Sequence, residues 1–335
     1  MRKKYIALFF IVGIILLVSL AGCKSKKPEE SNEKPVGKVD EESATIVEDN
    51  KEKIMQDFRN MVKSGNEPMI LVKFIDENVG KVQQEDVVEM VRDLEEVQER
   101  YLEKYTDQLF MEDYQVELIS LSDINESNKQ QDKDETHDSL FFDDSKIKEI
   151  KNGNLKELME KIIKGKYKLI NMEGSFYPIV DYEALKAYNK YLSDEMKDYI
   201  DIKSMDSNVP TILDAELLIS FDELGERLIR TENHIIKYPE GIKYEELLRL
   251  YGVYLRFYLE GSDNTPIYDE ETKLIKDEVL SNYKKTANIK NTVTSEIVSK
   301  YIDIIKDNEN IIDNNVFSNI TQLYNDAIGT LEEHK

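Results

Sequence analysis

The chain has 335 residues, 40% of them apolar, with 45 basic against 68 acidic side chains and a formal net charge of −23. Such a surplus of carboxylates repels phosphate backbones and anionic headgroups, which excludes nucleic acid as a partner and leaves membrane contact to a local anchor. A single cysteine excludes a disulfide framework within the chain, so the body has to be held by packing.

Met1-Arg2-Lys3-Lys4 precedes an uncharged run, Tyr5 to Leu20, that contains IALFFIVGIILLVSL. A basic start before a short apolar stretch has the layout of an export signal, and the positive-inside rule keeps its basic end in the cytoplasm. Leu20, Ala21 and Gly22 then lead into Cys23, the sole thiol. This resembles the lipobox of bacterial lipoproteins. The resemblance covers residues 1–23 and implies a signal peptide over 1–22, cleavage between Gly22 and Cys23, and a covalent diacylglycerol lipid on Cys23 as the one attached group. Two acyl chains suffice for stable anchoring, at about 0.8 kcal/mol per buried methylene. The expected location is therefore the outer, extracytoplasmic face of the cell membrane. An uncleaved anchor helix with an incidental Cys23 is the competing reading, and it leaves the body on the same side.

Residues 23–50, from CKSKKPEESNEKP to VEDN, are rich in Lys, Glu, Ser and Pro. They cannot bury enough apolar surface to offset their ordering entropy, so they are expected to form a flexible tether. Its reach is on the order of 25–30 Å. Beyond it, Ile54, Phe58, Met61 and Val62 recur at helical spacing, with Ser64-Gly65 placed to end the turn. Asn66 is expected to cap a second helix with Pro68 in its first turn, and Val87, Val91, Leu94, Tyr101 and Tyr105 mark a longer third. Asn125 to Ser139, NESNKQQDKDETHDS, holds no aliphatic or aromatic residue. It reads as a polar linker over 125–144, either between two domains or as one long loop. Further helices are expected near 145–164, 181–202, 211–237, 243–260, 270–286, 293–308 and 315–333, with Tyr244–Gly261 at the centre of the core. The fold class is thus all-α: helical bundles, with subdomains at 51–124 and 145–335 packed together. An α-solenoid also suits paired helices.

Motifs for chemistry are sparse. HExxH, GxSxG and GxxxxGK[ST] are absent. Ser145-Lys146-Ile147-Lys148 and Ser281-Asn282-Tyr283-Lys284 match SxxK without a companion KTG. Asp132, Asp134, Thr136, Asp138 and Asp143 fall near the offsets of a calcium loop, yet His137 occupies its glycine position, so no metal site is expected. Glu232 and His234 share one short stretch.

The segment Gly165–Tyr191 breaks the helical pattern with two glycines and a proline while interleaving tyrosines and carboxylates. A candidate ligand cleft is therefore read at Glu173, Phe176, Tyr177, Asp181 and Tyr182, against the alternative that these rings close the core. No catalytic residue is assigned. The expected function is a non-enzymatic binding or assembly lipoprotein for a small solute, peptide or partner protein. The alternative is a cell-envelope hydrolase using paired carboxylates such as Glu173 and Asp181.

Overall fold

The computed structural model describes residues 41–122 and 140–335, with side chains from Asp49 onward. Gly22, Cys23, the first part of the tether and the stretch 125–139 lie outside the described residues. Thr45–Lys335 form one compact unit.

The fold is all-α. Helix α1 (Glu41–Lys63) ends at Gly65, whose φ of 70° supplies the left-handed turn that L side chains resist. Asn66 donates its side-chain amide back to Met61 O, so it closes α1, and Glu67 stands at the N-cap of α2 (Pro68–Asn78). α3 (Gln84–Leu109) opens with a capping box between Gln83 and Asp86 and buries Val87, Val91, Leu94 and Tyr105. α4 (Tyr114–Leu121) lies before the undescribed residues 123–139 and α5 (Gly153–Lys164) after them, capped by Asn152.

Where the helical pattern breaks, an antiparallel hairpin forms from β1 (Tyr167–Met172) and β2 (Ser175–Val180). Its two-residue turn has φ of 50° at Glu173 and 78° at Gly174, the pairing that matches strand twist in a tight hairpin. A single turn, α6 (Tyr182–Leu185), and a 3₁₀ turn follow before Ser193 caps α7 (Asp194–Asn208). The helix expected over 181–202 is thus broken. The helix expected over 211–237 starts ten residues late, because β3 (Ile212–Leu213) and β4 (Glu216–Leu217) turn at Asp214 and Ala215, both at positive φ. Then come α8 (Phe221–Lys237) and α9 (Tyr244–Glu260), a minimal hairpin of β5 (Gly261–Ser262) and β6 (Thr265–Pro266), α10 (Asp277–Ala287), α11 (Val293–Asp307), the short α12 (Asn314–Phe317) and α13 (Ile320–Glu332).

α9 lies at the centre of the core, as expected, with Leu247, Tyr251, Tyr254, Leu255, Tyr258 and Leu259 all buried. It packs on α8 and α13. Gly252 is required there, since a Cβ would sit 2.6 Å from the Tyr324 hydroxyl. Residues 51–122 and 140–335 share one continuous core rather than two. α3 is the tie. Gln98 donates to Gly165 O (2.8 Å), and Tyr167 Oη donates back to Gln98 O (2.8 Å).

Candidate functional site

Helix geometry places residues four apart on one ridge, so α3 sets Glu95 beside Glu99 and Glu96 beside Arg100. α7 contributes Tyr199 and Lys203 by the same spacing, and the N-cap and first turn of α9 bring Lys243 and Glu246. α6 delivers Tyr182 from its first position. The charged groups of α3, α7 and α9 converge on an open cleft of about 530 Å³.

Its floor is an alternating chain of charges. Glu95 is 3% exposed. Its Oε1 accepts from Tyr182 Oη (2.5 Å) and, closer still, from Tyr199 Oη, while Lys243 Nζ lies 2.5 Å from Oε2 as an ion pair. Lys243 also reaches Glu246 Oε2 (3.3 Å), and Glu246 Oε1 accepts from Lys203 Nζ (2.7 Å); Tyr199 Oη lies 2.8 Å from Glu246 Oε1 as well, so its single proton is shared between the two carboxylates. The two ammonium groups stand over the tyrosine rings, Lys203 at 5.0 Å from Tyr182 and Lys243 at 4.9 Å from Tyr199. Two carboxylates and two ammoniums balance, so the buried layer is neutral.

Burial pushes the Glu246 carboxyl up, but Lys203 and Lys243 overcome it and hold the group down at about 2. Burial lowers the Lys243 ammonium, and Glu95 and Glu246 more than restore it. Loss of water drives both tyrosine hydroxyls well up, the nearby Glu95 charge adding to it. At neutral pH the floor is a fixed lattice of charges whose hydroxyls stay protonated. The rim differs. Glu96, Glu99 and Arg100 are exposed and make no hydrogen bond or close ion pair with any described residue. Burial of its carboxyl against the cleft, with Glu95 and Glu246 adding to it, raises the pKa of Glu99 against the opposing pull of Lys203 and Lys243, despite the exposure of the residue as a whole.

None of the residues expected to form a cleft lines this one; Tyr182 comes nearest, buried behind the floor as a donor to Glu95. Phe176 is fully buried against Phe142 (ring centroids 5.5 Å). Tyr177 lies half-buried on the opposite face of β2, 5.2 Å from the Phe110 ring. Glu173 is at the tip of the hairpin turn. Asp181 lies beyond the other end, capping α6 through Ala184 N and pairing with Lys168 at 3.6 Å. Six strand residues at about 3.3 Å each hold Glu173 and Asp181 roughly 20 Å apart. They cannot act as an acid and base at one bond, which requires about 5–9.5 Å.

The other flagged groups take structural roles. Ser145 donates its hydroxyl to Asp143 (2.7 Å), and Asp143 caps the 3₁₀ turn Asp144–Glu149. Asp132, Asp134, Thr136, His137 and Asp138 lie outside the described residues. Glu232 receives Val293 N (2.6 Å), Thr294 N (2.8 Å) and Thr294 Oγ1 (2.6 Å) at the start of α11, while His234 Nδ1 meets Asp198 Oδ2 at 2.9 Å. Among the described residues no group of three or more His, Cys, Asp or Glu is placed to hold a metal ion, and no helix is long and apolar enough to cross a membrane.

Glu95 carries a sequence signal of its own: it stands four residues after Val91 and three before Gln98, inside the buried stripe of α3. A carboxylate in such a stripe calls for partners from elsewhere in the chain. No protein-family model matches the chain, and neither does any curated protein or solved structure.

Proposed function

We propose that the protein is a lipid-anchored binding protein of the outer face of the membrane, whose helical body takes a small polar solute into the cleft between α3, α7 and α9. The cleft carries this reading: a pre-formed hollow of solute size, with a charge-balanced floor in which Glu95 Oε2 has an ion pair but no hydrogen bond, and a rim of charges that make no direct hydrogen bond or close ion pair. The anchor rests on Arg2 to Lys4, the apolar run and Cys23. Binding is favoured over hydrolysis by the state of the floor carboxylates. Glu246 is held ionised by two lysines, so it is not a proton donor at neutral pH, and Glu95 is tied to two tyrosine hydroxyls and a lysine rather than presented to the cleft alone.

The test has two arms. Fatty-acid labelling of growing cells is expected to mark the wild-type chain and spare Cys23→Ser. A thermal-shift screen of amino acids, peptides, sugars and polyamines is expected to find a class that raises the melting temperature of the wild type and leaves a Glu99→Gln, Arg100→Gln variant unmoved. Equal labelling, or no shift from any class, would overturn the corresponding half.

A further inference from the structure

The partition of charge between floor and rim defines what the cleft lacks. In the floor, Glu95 and Glu246 are matched by Lys203 and Lys243 at 2.5–3.3 Å, so no charge there is left over for a solute. On the rim, two carboxylates, Glu96 and Glu99, and one guanidinium, Arg100, make no hydrogen bond or close ion pair among the described residues, and only the longer-range charges of Arg92 on Glu96 and of Lys203 and Lys243 on Glu99 act on the two carboxylates. The rim groups occupy adjacent positions on one turn of α3, so their heads are within reach of a single small molecule. A guanidinium presents a fork that takes a carboxylate in two parallel hydrogen bonds. Two carboxylates beside it, neither in direct contact with a cation of the chain, can each take an ammonium group. The aromatic rings at the site, Tyr182 and Tyr199, are buried under the lysines and offer no open face for a sugar to stack on.

We infer that the cleft binds a basic amino acid in its zwitterionic form, the carboxylate on Arg100 and the α- and side-chain cations on Glu96 and Glu99. This rests on the cleft being a solute site at all. Such a ligand carries one net positive charge and leaves the rim neutral once bound. It would also suit the acidic body, which attracts cations from a distance. A cation over Glu99 would further favour its ionised form, which the surroundings of the empty cleft oppose.

Calorimetric titration of the full-length chain in detergent tests the assignment with four probes: L-lysine, Nα-acetyl-L-lysine, 1,5-diaminopentane and glucose. L-Lysine is expected to bind at least tenfold more tightly than the acetylated form, which lacks one cation, or the diamine, which lacks the carboxylate. Glucose is expected to give no heat. Arg100→Gln should bring L-lysine down to the level of the diamine, and Glu96→Gln should bring it towards the acetylated form. All three rim groups are exposed, so these variants are expected to keep the wild-type melting temperature. A diamine or glucose that binds as tightly as L-lysine would overturn the zwitterion assignment and leave the cleft as a solute site. Silence from all four probes together with silence in the broader screen would overturn both.

Discussion

Lys243→Met isolates the central tension of the cleft floor. The substitution keeps the length of the stem but removes the ammonium that stands 2.5 Å from Glu95 Oε2. Breaking one side of a buried pair costs about 3–5 kcal/mol, because the surviving charge stays desolvated. Glu95 is 3% exposed, so water cannot take the place of the lost partner. Tyr182 and Tyr199 still donate to Oε1, and Glu246 keeps Lys203, which places the loss at the lower end, about 3 kcal/mol. For a body of this size that is roughly 1 M in the urea midpoint. The double variant Glu95→Gln, Lys243→Met removes the buried charge with its partner, and the amide oxygen can still accept from the tyrosines. It is expected to regain at least about 1 kcal/mol over the single variant. Urea denaturation followed by circular dichroism measures both. A single variant within about 0.5 kcal/mol of wild type, or a double variant worse than the single, would refute the reasoning.

Two further outcomes follow from the same geometry. The Glu246 carboxyl is displaced from its ordinary 4.5 to about 2, which corresponds to at most about 3 kcal/mol and, with nearly a third of the side chain in solvent, to about half of that. Because the folded value is the lower one, the contribution is complete above pH 4.5 and vanishes as the pH falls through about 2. Glu246→Gln should therefore cost stability at pH 7, and the gap to wild type should close on acidification; a gap that ignores pH would rule the account out. On the hairpin, Phe176→Ala is expected to cost about 3–5 kcal/mol and Tyr177→Ala about 1 kcal/mol, since only the first ring is sealed in the core. Equal losses in a denaturation series would show that the two faces of β2 have been misassigned.

The helices α9 and α11 stand where residues at spacings of three and four put them, whereas α1 begins at Glu41, ten residues inside the stretch 23–50 whose polar composition reads as a tether, because a helix can extend through polar residues once its apolar end is packed. The break in helical pattern at Gly165–Tyr191 is legible from its glycines and proline, and it is there that β1 and β2 form. The breaks at Leu192 and at Asp214-Ala215 were hidden for a local reason. A 3₁₀ turn keeps residues three apart on one face, so Leu185 and Tyr188 continue to look helical where the α-helix has ended. The sharp polar stretch 125–139 drew a boundary by composition, yet the flanking segments join through Gln98 and Tyr167, a contact that no composition profile carries. The cleft was illegible for a similar reason. Glu95, Tyr182, Tyr199 and Glu246 come together only when α3, α7 and α9 pack, and every sequence-local cluster of aromatic and acidic residues pointed to the hairpin instead. Glu95 itself was readable as an anomaly on an apolar stripe, but its partners were not.

The same packing explains why a chain with 19 tyrosines and no tryptophan needs no disulfide. A buried helix end leaves carbonyls without intrahelical partners, and such orphans are costly away from water. The last turn of α9 is in that position at the middle of the core. Tyr283 Oη from α10 donates to Tyr258 O (2.6 Å), and Tyr301 Oη from α11 donates to Leu259 O (3.0 Å). Further along α9, Tyr258 meets Thr286 (2.8 Å), Tyr251 meets Thr294 (3.0 Å), and Tyr254 donates to Asp206 (2.5 Å), whose other oxygen holds the buried Arg227. Each ring fills core volume, and each hydroxyl fixes the position of one helix against another. Tyr182 and Tyr199 extend that usage to the cleft, where the hydroxyls reach a carboxylate in place of a carbonyl. The floor of the proposed binding site is thus continuous with the device that holds the bundle together. That continuity leaves the rim of α3, which carries no structural duty, as the part of the cleft free to meet a solute.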